Sequence, residues 1–116
     1  MSKMFFWLTL GGENIDFPIL EKALRINLAD NRICAPAEFT TNHNDPVFYK
    51  QIAWLLDIAE QNKSLFEDSG VDFSESQIWM IYLYEKQCNI EFDANLLERM
   101  GKLGIKLCIS CDEVGL

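Results

Sequence analysis

FWLTLGGENIDF, residues 6–17, and IYLYEKQCNIEF, residues 81–92, decide the fold, because the chain says nearly the same thing twice. In each stretch strand-forming residues come first and Asn-Ile-acid-Phe closes. Asn14, Ile15, Asp16 and Phe17 correspond to Asn89, Ile90, Glu91 and Phe92. Two residues are inserted in the second copy and the match resumes, Ile19-Leu20-Glu21-Lys22-Ala23 against Leu96-Leu97-Glu98-Arg99-Met100. Each copy reads as a strand, a short connection and a helix. The expectation is a duplicated strand–helix unit, with halves at about 4–26 and 78–103, inside a single domain covering 1–116.

Outward from the first copy, the apolar run Met4 to Leu10 ends at Gly11-Gly12 and predicts a central strand covered on both sides. Asp16 is placed to cap a short helix, with Pro18 tolerated in its first turn and Leu20, Ala23 and Leu24 on one face. Ile33, Ala35, Ala37 and Phe39 alternate with Arg32, Cys34, Pro36 and Glu38, which predicts a strand. Pro36 lacks a backbone donor and moves that strand to an edge. Asp45 and Pro46 open the longest helix, whose core stripe is Phe48, Ile52, Leu55, Leu56 and Ala59, broadened by Val47, Trp54 and Ile58. That helix fades between Lys63 and Asp68, and Val71 to Gln77 reads as a loop.

Outward from the second copy, Ile78 to Tyr84 is rich in strand formers. Asp93 caps a helix with Leu96, Leu97, Met100 and Leu103 on one face, and Gly104 stops it. Ile105, Leu107, Ile109 and Cys111 alternate in a last strand, which the preceding helix allows to lie parallel to its neighbour. The predicted fold class is α+β: a two-layer sandwich with helices on one face of a mainly antiparallel sheet, a ferredoxin-like variant with a duplicated unit and one extra long helix.

Composition narrows the function. The 116 residues are 49% hydrophobic, enough for one core, with no apolar run that would span a membrane and no secretory signal pattern, so a cytoplasmic protein is expected. A net charge of −8 argues against nucleic acid and against an anionic membrane, and suits a cationic protein partner.

Candidate chemistry is sparse. Cys108-Ile-Ser-Cys111 has redox and zinc spacing, but on a predicted strand its two thiols fall on opposite faces, and few further ligands remain in Cys34, Cys88 and His43. His43, the single histidine, lies in a polar loop, and no nucleophile motif surrounds Cys34. Gly11-Gly12 is a turn rather than a phosphate loop. No catalytic residue, metal or cofactor is expected. Trp7, Trp54 and Trp79 are assigned to the core, and Tyr49 with Tyr82 or Tyr84 to more exposed positions.

The acids are unevenly placed. Asp57, Glu60, Glu67, Asp68, Asp72 and Glu75 fall in a stretch whose only base is Lys63, giving it −5 of the total −8. Several sit toward the C-terminal end of the long helix, where the macrodipole disfavours negative charge by about 0.3–1 kcal/mol each. A basic partner is one reason to keep them there; a solvated face is the plain alternative.

FWLTLGGENIDFPILEKAL and IYLYEKQCNIEFDANLLERMGKLGIKLCISC resemble a family of small duplicated α/β domains of unknown biochemical function. Some of its members occur as immunity proteins of bacterial polymorphic and contact-dependent inhibition toxins. The likeness covers the terminal thirds and rests on strand and helix-packing positions. It implies by association a non-enzymatic immunity protein. The composition adds a physical logic: Asp57, Glu60, Glu67, Asp68, Asp72 and Glu75 would pair with Lys and Arg of a cognate basic toxin domain, a nuclease being the expected kind. Two alternatives stay open: a homodimeric small-molecule-binding regulatory module, and an enzyme using Cys34 or Cys111 with His43. Oligomeric state is not legible in the sequence.

Overall fold

Among the described residues, hydrophobic run, cap and turn residue translate into a four-stranded sheet with four α-helices. The computed structural model describes residues 3–28, 30–36, 48–84 and 90–113. In chain order the elements are β1 (Lys3–Thr9), α1 (Phe17–Leu24), β2 (Arg32–Cys34), α2 (Phe48–Gln61), α3 (Lys63–Asp68), β3 (Gln77–Tyr84), α4 (Ala94–Leu103) and β4 (Lys106–Glu113). The sheet order is β2-β1-β3-β4. β1 runs antiparallel to both β2 and β3, and β3 runs parallel to β4. The two strands of the repeated phrase are therefore the central pair. Their outer neighbours differ in direction, antiparallel in the first half and parallel in the second. The strand predicted from Asn31 to Phe39 is paired over Arg32–Cys34 at the sheet edge, and Ala37 to Phe39 lie outside the described residues.

Both repeat helices start on aspartate. The Asp16 carboxylate accepts from Ile19 N at 3.2 Å, and that of Asp93 from Asn95 N at 3.0 Å, satisfying backbone donors that the first turn leaves bare. Their ends differ. α4 stops on Gly104 in the left-handed region, whereas α1 stops on Arg25 with φ 57°, a conformation that costs a residue bearing a Cβ. Their inward faces differ too. Leu20, four residues after its cap, is buried in α1; in α4 it is Leu96, three after its cap, while Leu97 is 45% exposed. Ala23 is likewise exposed, so neither helix buries the whole predicted stripe.

One face of the sheet is covered over β1, β2 and β3, whereas on the edge strand β4 Ile109, registered with Met80 on that same face, is 43% exposed. Met4, Phe6, Leu8, Ile33, Ile78, Met80 and Tyr82 meet Leu20, Ile52, Leu55, Leu56, Ala59, Phe66, Leu96 and Met100 in a single core. Each such Leu or Ile contributes about 1.5–3 kcal/mol through removal from water. Tyr82, expected among the more exposed positions, is fully buried, because it falls on the same face of β3 as Ile78 and Met80. The predicted stripe of α2 is present in Ile52, Leu55, Leu56 and Ala59; Asp45, Pro46 and Val47, and the side chains of Phe48 and Tyr49, lie outside the described residues. What reads in sequence as one fading helix is two, separated at Asn62, whose side-chain amide turns back to the Ile58 carbonyl at 3.0 Å.

β1 is locked to the turn before β3. Gly11 N–H donates to Ser76 Oγ at 3.0 Å, Asp72 N–H donates to Gly11 O at 2.8 Å, and Gly12 bridges Val71. A Cβ on Gly11 would run into the Glu75 carbonyl, so glycine there is a packing requirement. The predicted loop carries a single 3-10 turn, Phe73–Glu75, with Phe73 packed edge-on against Phe66 at 5.6 Å.

Candidate functional site

The six predicted acids lie on the helical side, around a shoulder that α4 joins from a distant part of the chain. Asp57 and Glu60 are exposed on one face of α2. Across from them stands Arg99 of α4. Its Nε donates to Glu60 Oε2 at 3.0 Å, and its Nη2 donates to Glu60 Oε1 at 2.7 Å and Asp57 Oδ1 at 2.6 Å. These hydrogen bonds hold the Glu60 carboxyl below its ordinary range against a weaker opposing push from burial, with added help from the charges of Arg99 and Lys102. They also raise the guanidinium of Arg99 above its already high value. The cation that the last turn of α2 lacks is supplied by α4.

Glu67 on α3 pairs with Lys63 at 2.9 Å, and Asp68 is exposed at the end of the same helix. Asp72 is engaged in local structure: its carboxylate accepts from Ser74 N at 2.9 Å and Ser74 Oγ at 2.6 Å, bonds that lower its pKa. Glu75 is exposed in the 3-10 turn. Lys63, Glu67, Asp72 and Lys102 rim a shallow cleft of about 380 Å³ floored by Val71, Phe73 and Leu103. The shoulder is thus a mixed-charge surface. Arg99 and Lys102 are invisible to a count along the stretch 57–75, because they enter through the packing of α4 on α2.

The cysteines are dispersed. Cys108 registers with Trp79 and Cys111 with Tyr82, so the two thiols of the C-x-x-C lie on opposite faces of β4. Cys34 is on the far edge strand, registered with Trp7. His43 and Cys88 lie outside the described residues. Among the described residues no group of His, Cys, Asp and Glu is arranged to hold a metal ion, and no helix is long and apolar enough to cross a membrane.

A second surface is not announced by the sequence. The sheet face opposite the core carries the row Cys34, Trp7, Trp79, Cys108 and beside it the row Phe5, Ile81, Ser110. Phe5 is 45% exposed, and Trp7, Trp79, Ile81 and Leu83 are half-buried rather than core. The Arg32 guanidinium lies 4.5 Å from the Trp7 ring centre, and Trp79 Nε1 donates to Gln77 Oε1 at 2.9 Å. Its signal is the set of apolar odd positions in β1 and β3, which read equally as a strand covered on both sides.

No family model, curated protein or solved structure matches the chain.

Proposed function

We propose that this protein is a non-enzymatic binding module for a basic protein domain, and that it acts as an immunity protein neutralising a bacterial toxin. The observation that carries the reading is the charge of the helical shoulder. Asp57, Glu60, Glu67, Asp68, Asp72, Glu75 and Glu98 outnumber Lys50, Lys63, Arg99 and Lys102 on α2, α3, the 3-10 turn with its cap, and α4. The salt bridges there divide the acids by role. Asp57 and Glu60, fixed by Arg99, form a rigid base whose charge is partly neutralised. Glu67 is shared with the exposed Lys63, and Asp68 and Glu75 keep the exposed charge that steers a basic partner. A nuclease toxin is the expected target, since a protein that holds nucleic acid presents clustered Lys and Arg. The two strand–helix halves are read as copies of one unit in a ferredoxin-like variant, a fold-level reading without bearing on the partner.

The test uses the basic C-terminal domain of a secreted protein encoded beside this one. Co-expression should rescue growth and yield a complex. Glu67→Lys/Asp68→Lys/Glu75→Lys should slow association about tenfold or more at low salt, with little change in dissociation. An unchanged association rate removes the shoulder from the interface, and failure to bind any such domain removes the toxin.

A further inference from the structure

We infer that the apolar sheet face opposite the helices is a self-association surface, and that its occupant is a second copy of this chain related by a two-fold axis lying in the interface and perpendicular to the strands. This inference is independent of the acidic shoulder, which lies on the other side of the sheet.

The face is self-complementary in charge along β4. On a chain of net charge −8, its described side chains include a single carboxylate, Asp112, and two cations, Arg32 and Lys106. Lys106, Cys108, Ser110 and Asp112 alternate toward it along β4, so the strand is positive at one end and negative at the other. A two-fold axis perpendicular to the strands lays β4 antiparallel over its copy. Lys106 then faces the partner's Asp112, and Asp112 faces the partner's Lys106. The same operation sets Trp7 against the partner's Phe5 and Trp79 against the partner's Ile81, because these rows are neighbours about the centre of the strands. An axis running along the strands would instead set Lys106 against the partner's Arg32, on the opposite edge strand and in the same row. The pairing of Lys106 with Asp112 therefore favours the first of these two ways of stacking the sheet on itself.

Size sets the strength. Three strands of seven or eight residues and one of three, about 4.8 Å apart with about 3.3 Å per residue, present roughly 400 Å² in plan. That is below the ~800 Å² per partner of a standard stable interface, so the dimer belongs to the weak, reversible class. Aromatic anchors at the centre and a charged rim are the arrangement such an interface needs. In the dimer the shoulders point outward on both protomers, leaving each accessible.

A charge swap tests the geometry. Sedimentation of the native chain should show a monomer–dimer equilibrium. Lys106→Glu and Asp112→Lys should each raise the dimer Kd about tenfold or more, because each places two like-charged pairs in the interface. An equimolar mixture of the two single variants should recover the dimer, since the carboxylate introduced in one chain faces the ammonium introduced in the other. The double variant should recover it alone. Neither residue is buried, and circular dichroism of each variant should match that of the native chain. A native chain that stays monomeric at about 1 mM, the dissociation constant of a weak complex, would overturn the proposal. So would single variants that dimerise normally, or a mixture that remains monomeric.

Discussion

The two faces of the sheet are built from alternate residues of the same strands, yet they do different work. Phe6, Leu8, Ile78 and Met80 are sealed beneath the helices, while Phe5, Trp7, Trp79 and Ile81 make an equally apolar surface with no such cover among the described elements. The difference teaches that apolar content alone does not assign a residue to the core. Stability is concentrated where helices α2 and α4 meet the sheet; the open face is apolar beyond what the fold requires.

The sharpest way to break the comparison is to delete equivalent volumes on the two sides. Leu56→Ala, at a site fully removed from solvent, should cost about 2–5 kcal/mol in urea unfolding. Ile81→Ala, measured below the dimer Kd, should cost no more than about 1 kcal/mol, because its side chain already meets water. Equal losses would erase the distinction.

Next in size is the lock between β1 and the turn before β3. Gly11→Ala forces the backbone around Glu75 to shift and should destabilise by about 1–3 kcal/mol, measured as a lower thermal midpoint, with no effect on self-association. The smallest effect belongs to the shoulder. Arg99→Met should cost about 0.5–1 kcal/mol at neutral pH, since the paired groups are only partly screened from solvent. Its sign with pH is fixed. The folded-state pKa of Glu60 lies below its ordinary value of 4.5, so the pair stabilises fully above that value. The stabilisation fades as pH falls through the folded pKa. Native protein and Arg99→Met should therefore converge in stability in acid and separate above about pH 5.

Local chemistry made much of this readable. Asp16 and Asp93 announced two helices, the stripe from Ile52 to Ala59 announced a third, and Gly104 announced an end, because caps and periodicity act within a few residues. The break at Asn62 was hidden, since the residues on both sides are helix-compatible. Leu96 and Leu97 are adjacent and equally apolar, so only the packing of α4 decides which one is buried. The candidate acidic surface was legible in its carboxylates and illegible in its cations. Arg99 reaches Asp57 and Glu60 across about forty residues of chain, a separation that no local pattern encodes. The open sheet face was hidden for a different reason: a strand apolar on both sides looks the same whether its second cover is its own chain or another molecule.

The most direct measurement of the central claim is the thermal midpoint as a function of protein concentration. A dimer that binds only folded chains raises the midpoint with concentration. The account predicts a rising midpoint for the native chain and for Leu56→Ala, and a flat one for Phe5→Glu/Ile81→Glu, which places charge in the centre of the open face. A flat midpoint for the native chain, or a slope that survives Phe5→Glu/Ile81→Glu, would contradict it.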